Sequence, residues 1–360
     1  MEGLDKFVDL QKLAENQHSI AAAAAITITA YGIYKLLQQY GKIFSLKVGP
    51  GNMIVICDRK AVYELIDRKG SIYSDRPPMA VLYMNRLLEE PENFYTYSRL
   101  YANSVAAILA WGFRAKDTES FWFKEVNAMI EQKRAFHMRD YMDRTWGNAR
   151  RLVEERRSRG DARSCMIDDK LDEYAKKGWP MSDVAFNNLF GELMEAGADT
   201  TANQILTLIL ALAMNPQIQV RARAELDAVC GTERAPLFSD FDKLPYINAI
   251  VKEGLRWRPT SDLGLPHTVT KGGRRICPGI HLAERSMWRI AAKLLWAFEF
   301  AEPLDPATGK VQHLDPDAYT SSNLVCPLPF KVRIKPRSET HVEIIKKEVA
   351  GAMEFLSQYD

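Results

Sequence analysis

Cys277 is the residue of this chain best suited to reactive chemistry, because a glycine-rich stretch surrounds it at residues 271–280. Gly273 can adopt the positive φ angles of a tight turn, and Gly279 allows the backbone to approach a flat partner closely. Pro278 follows the cysteine and suits the first position of a helix. The pattern therefore predicts a tight turn, then the cysteine, then a helix start.

A helix is predicted over residues 281–298, where apolar residues recur at helical spacing. Cys277 would then lie at a helix N-terminus, with Arg274 and Arg275 beside it. The helix dipole and the positive charges both favour a thiolate, which is a good metal ligand and a good nucleophile. An ordinary buried cysteine is the alternative interpretation.

A second segment with chemical potential, Ala-Gly-Ala-Asp-Thr-Thr at residues 196–201, lies within a long predicted helix. Ser182 is a good N-cap for that helix and Pro216 stops it. The helix is apolar on most faces, so it should cross the protein interior. Burying a carboxylate costs free energy unless it has a functional role or a partner. Asp199 is therefore a candidate functional residue. The alternative is a helix kink at this point, with Asp199 facing solvent and a threonine bonded back to a carbonyl.

A third pattern, Glu-x-x-Arg, places Glu253 and Arg256 three residues apart in a helix predicted over residues 245–258. Residues at this spacing share one helix face. On an exposed face such an ion pair contributes little to stability, so the pair alone has little weight.

Composition excludes several classes of protein. The chain has 360 residues, and 47% of them are hydrophobic. Its net charge is only +2, which does not indicate a nucleic-acid-binding protein. Its five cysteines are an odd number without a Cys-x-x-Cys pair, which argues against a disulfide framework and a cysteine-rich zinc site. Reduced thiols facing the cytosol are the simplest interpretation.

The remaining pattern indicates a mainly helical protein with little sheet. Strands are predicted at 43–48 and 53–57, joined by a Gly-Pro-Gly turn, and a last strand at 330–334. Residues 87–132 are irregularly helical, and the charged stretch 151–159 is predicted to be a solvated helix face and loop. Further helices are predicted over residues 59–68 and 216–230.

An apolar, alanine-rich stretch at residues 19–37 could form a membrane anchor. As a helix it would measure about 28 Å, close to the roughly 30 Å hydrocarbon core of a bilayer. Lysines lie at its end, at position 35, and after it, at positions 42 and 47, so the rest of the chain should remain cytosolic. A buried alanine-rich helix is the alternative.

Taken in order, the three motifs resemble the signature of the cytochrome P450 heme-thiolate monooxygenases: Ala-Gly-Ala-Asp-Thr-Thr, Glu-x-x-Arg and Gly-x-Arg-x-Cys-x-Gly. A looser resemblance, to filamentous-fungal members, runs from about residue 43 to 337. It implies a mainly α fold with a small β part and an N-terminal membrane helix. The domains would be residues 1–40, with the anchor at about 19–37, and a heme-thiolate monooxygenase domain at 41–360.

The resemblance implies a heme-binding loop around Cys277. The Cys277 thiolate would be the proximal ligand of the iron, where it pushes electron density to the metal and favours O–O cleavage. Arg275 would bind a heme propionate, and His267 matches a position that often contacts a propionate too. Gly273 and Gly279 would flank the cysteine in the same loop.

The resemblance also assigns roles on the two motif helices. Asp199 and Thr200 would deliver protons during dioxygen activation, Thr200 by hydrogen bond and Asp199 as relay. Gly197 would leave room for oxygen beside the helix. Glu253 and Arg256 would form a buried structural pair, in which loss of one partner strands a charge.

Two segments are shorter than in the family, near residues 88–93 and near 268–273. Only 20 residues separate Arg256 from Cys277, where the family has further strands, loops and an arginine-containing meander. The aromatic residue that opens the cysteine loop in the family is replaced by Thr270.

The implied function is a heme-dependent monooxygenase of fungal secondary metabolism, inserting one oxygen atom from O2 into an apolar small molecule. Its cofactor would be heme b (iron protoporphyrin IX), with electrons from NADPH through a flavoprotein reductase. Its location would be the endoplasmic reticulum membrane, and no nucleic-acid partner is expected. One alternative is a catalytically inactive, shortened relative without heme. The other is a heme-thiolate isomerase or dehydratase, against which the retained Asp199–Thr200 pair argues.

Overall fold

The fold is taken from a computed structural model, which describes residues 43–48, 51–56, 78–132, 138–261, 277, 279–321 and 324–360. The predicted anchor at 19–37 lies outside these ranges, as do the predicted helix at 59–68 and the loop residues His267, Gly273 and Arg275. No single helix in the described ranges is long and apolar enough to cross a membrane.

The described part of the chain is mainly helical with two small antiparallel sheets, which confirms the mainly α, small β part of the predicted fold class. The strands are β1 Ile43–Val48, β2 Gly51–Ile56, β3 Phe298–Ala301 and β4 Arg333–Pro336. β1 pairs with β2, as the Gly-Pro-Gly turn predicts, and β3 pairs with β4. The helices are α1 Pro78–Glu89, α2 Phe94–Trp111, α3 Phe121–Gln132, α4 Met138–Ser158, α5 Met166–Lys177, α6 Asp183–Met214, α7 Pro216–Val229, α8 Pro245–Trp257, α9 Ile280–Ala297 and α10 Glu339–Ser357.

Helix α6 is the central element, as its length and apolar composition predict. It has 32 residues and begins where the Ser182 side chain accepts a hydrogen bond from the amide of Ala185, at 3.2 Å. Every residue from 202 to 210 is buried, so this half crosses the interior. Pro216 follows the helix and begins α7, because its missing N–H cannot continue α6.

Two hydrophobic cores lie along α6. The C-terminal half of α6 packs with α1, α7, α8, α9 and β3 in the larger core. The N-terminal half packs with α2, α4 and α5 in the other. Two glycines allow close packing in this second core: a Cβ on Gly197 would lie 3.2 Å from the Cβ of Ala106, and one on Gly191 would lie 2.2 Å from Trp146 Nε1.

The charged stretch 151–159 departs from the prediction of a solvated face. Arg151 is exposed and pairs with Glu155, as expected. Arg156, however, is fully buried, and its guanidinium donates to both oxygens of Asp168 at 2.9 and 3.0 Å. Its burial is possible because the Asp168 carboxylate compensates the charge and the Asp161 carbonyl accepts a further hydrogen bond, and helical periodicity does not reveal either partner.

The late part of the chain also departs from the prediction. The last strand is β4, displaced from the predicted 330–334, and its partner β3 follows α9 directly. Helix α10 was not predicted at all. Its buried residues fall on one face at helical spacing, where they pack the helix onto the larger core: His341, Ile345, Ala352 and Leu356.

Candidate functional site

Cys277 lies just before the N-terminus of α9, as predicted from the glycine-rich stretch. Its carbonyl accepts a hydrogen bond from the amide of Ile280, at 3.3 Å, and Gly279 is the N-cap of the helix. The cysteine is exposed, so the interpretation as an ordinary buried cysteine is wrong. A Cβ on Gly279 would lie 3.8 Å from Cys277 Sγ, so glycine at this position leaves that side of the sulfur uncovered.

The segment 196–201 runs through α6 without a break in the helix. The Thr200 hydroxyl donates to the carbonyl of Ala196 at 2.6 Å, which is the back-bond expected of a threonine in a helix. Asp199 is half-buried rather than fully solvent-facing. Gly197 faces Ala106 of α2, so in this structure its missing side chain serves the contact between the two helices.

Glu253 and Arg256 form the predicted ion pair, but the prediction that the pair is buried is wrong. The guanidinium donates to both carboxylate oxygens at 2.6 and 2.7 Å, while the two side chains are 59% and 70% exposed. The hydrogen bond to Arg256 lowers the pKa of the Glu253 carboxyl and raises that of Arg256. Helix α8 turns its apolar face inward, so this motif lies on the opposite, uncovered face.

A polar contact beside α6 was not anticipated from the sequence. Cys326 is buried, and its Sγ lies 3.1 Å from the hydroxyl of Tyr95, which donates to the Pro327 carbonyl at 2.6 Å. Burial raises the pKa of the Cys326 thiol, and the charge of Asp199 contributes in the same direction. The hydroxyl of Tyr95 and the thiol of Cys326 thus meet beside α6, although no spacing in the sequence connects the two residues.

The described residues can be compared with what a heme requires. A heme iron needs one soft axial ligand from the protein, and the Cys277 thiol is accessible just before the N-terminus of α9. Gly279 leaves that side of the sulfur free for a flat ring. In the described ranges no group of three or more His, Cys, Asp or Glu is placed to hold a metal ion. An accessible cysteine just before a helix has the ligand chemistry that a heme iron requires.

Comparison with known proteins gives one consistent family. The model of the cytochrome P450 family matches residues 113–272. The cytochrome P450 monooxygenase yanC of Aspergillus niger is 31% identical, over 89% of this chain and 88% of that protein. The cytochrome P450 monooxygenase patI of Aspergillus clavatus is 28% identical, over 91% and 88%. The yanC alignment has 475 positions, more than the 360 residues here, so that protein contains blocks with no counterpart in this chain.

A solved structure of a zebrafish cytochrome P450 with abiraterone has the same fold. Its TM-score is 0.56 and its sequence identity 19%, and the match covers 85% of this chain and 98% of that one. The fold, the ordered motifs and the fungal relatives agree. This chain belongs to the cytochrome P450 family of monooxygenases, whose members hold heme b through a cysteine thiolate and receive electrons from an NADPH-dependent reductase.

Proposed function

We propose that this chain inserts one oxygen atom from O2 into an apolar small molecule of fungal secondary metabolism. The observation that carries the proposal is the position of Cys277, exposed at the N-terminus of α9 with no side chain on Gly279 to cover the sulfur. The fungal relatives, named as monooxygenases, support the same reaction class.

The residues around Cys277 have the chemistry to hold heme b. Cys277 would supply the thiolate, and glycine at positions 273 and 279 adds no side chain that could block the ring. Arg275 would suit a propionate because a guanidinium can donate two parallel hydrogen bonds to a carboxylate, and His267 would add a further donor. When bound, the heme supplies the electron-transfer and dioxygen chemistry.

Asp199 and Thr200 hold and transfer the protons that dioxygen reduction consumes. A hydroxyl has one donor hydrogen, and Thr200 directs it to the Ala196 carbonyl. Rotation of the side chain frees that hydrogen for transfer, and the half-buried carboxyl of Asp199 holds the proton that replaces it. Gly197 keeps this part of α6 free of a side chain, against Ala106.

The proposal extends to the location and partners of the protein. Residues 1–40 carry the anchor at 19–37, and residues 41–360 form the catalytic domain on the cytosolic side of the endoplasmic reticulum membrane. An anchored domain near the bilayer would meet an apolar substrate and a flavoprotein reductase in the same membrane.

The absorption spectrum of the purified protein, reduced and exposed to carbon monoxide, tests the proposal. The red-shifted Soret band of a thiolate-ligated heme is expected in the wild type and should be absent in Cys277→Ala. Cys230→Ser is the matched control, because Cys230 is buried beside Asp240 and away from α9's N-terminus. A wild-type protein without this band would contradict the proposal.

A second candidate is a heme-free relative that acts as a structural or interaction protein. The exposure of the Glu253–Arg256 ion pair favours this candidate, because an ion pair that supports a heme-binding core is expected to be buried. Stoichiometric heme in the purified protein would exclude this candidate, whereas a chain that folds but retains no heme would support it.

A further inference from the structure

Gln204 lies where the two motif helices touch. It follows Thr200 by four residues on α6, so the two side chains share one face, and it is only 4% exposed. Its Nε2 is 3.1 Å from the position that a Cβ on Gly254 would occupy. Gly254 lies between Glu253 and Arg256 on α8. The contact is therefore possible because residue 254 has no side chain.

The other end of the Gln204 amide holds the chain that leaves α8. Its Oε1 accepts a hydrogen bond from the Thr260 hydroxyl at 3.3 Å. The Thr260 carbonyl in turn accepts from the amide of Val325 at 2.8 Å. One side chain thus connects α6 to α8, to the residues after α8 and to the segment around Val325.

That segment is fixed from two further sides. Cys326 contacts Tyr95 of α2, and the Tyr319 hydroxyl bonds to Thr207 of α6 at 3.2 Å. Thr207 continues the face that carries Thr200 and Gln204, at spacings of four and three residues. The face of α6 that carries the proposed proton-transfer hydroxyl is therefore held by two hydrogen bonds, to Thr260 and Tyr319, and by the packing contact with Gly254.

We propose that Gln204 is a positioning residue for the monooxygenase site: it fixes the rotation of α6 against α8 and thereby the direction of the Thr200 hydroxyl. A methionine in place of Gln204 has a similar length but cannot accept the hydrogen bond from Thr260 or donate one of its own. A glutamate in the same place still accepts the hydrogen bond from Thr260. The catalytic role of Gln204 rests on the proposed function, while its contacts with Thr260 and Gly254 can be tested without bound heme.

The first experiment follows the threonine methyl resonances of the heme-free protein by NMR, with Thr200 assigned from Thr200→Ser. Gln204→Met should shift the Thr200 methyl by more than a linewidth, and Gln204→Glu by less. Thr260→Val should reproduce the shift and Thr260→Ser should restore the wild-type position, which keeps the test valid if Gln204→Met does not fold. An unmoved Thr200 methyl in both Gln204→Met and Thr260→Val would overturn the proposal.

The second experiment is a double-mutant cycle by urea unfolding of the same heme-free protein. Gly254→Ala adds a Cβ that displaces the Gln204 amide and also raises helix propensity, so its effect on the unfolding midpoint should be less favourable in the wild type than in a Gln204→Ala background. Equal changes in the two backgrounds would show that the residues do not interact. Neither experiment needs bound heme, so absence of the carbon monoxide band would contradict the proposed function without affecting either result.

Discussion

At Thr200, the helix and the proposed chemistry compete for the same hydroxyl hydrogen. The bond to the Ala196 carbonyl is short, 2.6 Å, and satisfies the donor locally. A hydrogen bond of this kind slightly destabilises and often bends a helix, so breaking it costs little free energy. The residue can therefore alternate between a resting bond within α6 and an outward donor.

Replacing the hydroxyl should separate oxygen activation from other heme chemistry. Thr200→Ala should reduce product formation by about 100-fold, the contribution typical of one positioned acid–base group, without changing heme content. The measurement is oxygen-dependent turnover of a substrate first found by its shift of the Soret band. Thr200→Ser should retain most activity, and Thr201→Ala is the neighbouring control. Unchanged turnover in Thr200→Ala, without oxygen consumption, would favour the isomerase or dehydratase.

The sequence predicts partners better than burial at the scale of single residues. Spacing alone places Glu253 and Arg256 on one face, and they do pair. Whether that face is covered depends on other segments, which spacing within one helix does not describe. The same limit explains Arg156: its partner Asp168 lies in the next helix, so only the folded chain shows that the charge is compensated.

At the scale of elements, the sequence defines a helix well when its ends carry signals. Ser182 and Pro216 bracket α6, and Pro245 begins α8, so both bounds were predicted closely. Strand β3 is only four residues long and follows α9 without a turn, which leaves too short an alternation to recognise. Helix α10 has a serine before it and one apolar face, so the sequence does contain signals for this helix.

The contact between α4 and α6 gives a prediction about packing. Gly191→Ala should lower the free energy of unfolding by about 1–3 kcal/mol, the usual cost of overpacking. The added Cβ would lie 2.2 to 2.5 Å from atoms of the Trp146 ring, which is fully buried and stacked on Trp111. Urea unfolding of the two proteins measures the difference.

A glycine beside the same tryptophan provides the control. Nothing lies within 4 Å of a Cβ on Gly147, which is in the middle of α4. Gly147→Ala should therefore be neutral or stabilise by up to about 1 kcal/mol through helix propensity. If both variants lost the same stability, a general sensitivity of α4 and α6 would explain the result and the specific clash would be disproved.

For the whole molecule, α6 is the structural link between the chemistry and the cores. Its N-terminal half belongs to one core and its C-terminal half to the other. The segment with Asp199 and Thr200 lies at the transition, where burial drops from complete to partial. Cys277 lies at one end of α9, whose apolar face packs in the larger core. A heme held by Cys277 would thus be attached to the same core that fixes the second half of α6.

Heme binding should therefore stabilise the molecule as a whole. A ligand that binds only the folded state adds about 4 kcal/mol to the free energy of unfolding at 1,000 times its dissociation constant. Urea unfolding with and without hemin should show a higher midpoint in the wild type, and the increase should disappear in Cys277→Ala. Cys230→Ser should retain the increase, because it leaves the axial ligand in place. If hemin raised the midpoint equally in the wild type and in Cys277→Ala, binding would not depend on the thiolate. If it raised neither, the fold would persist without the cofactor, as the heme-free candidate requires.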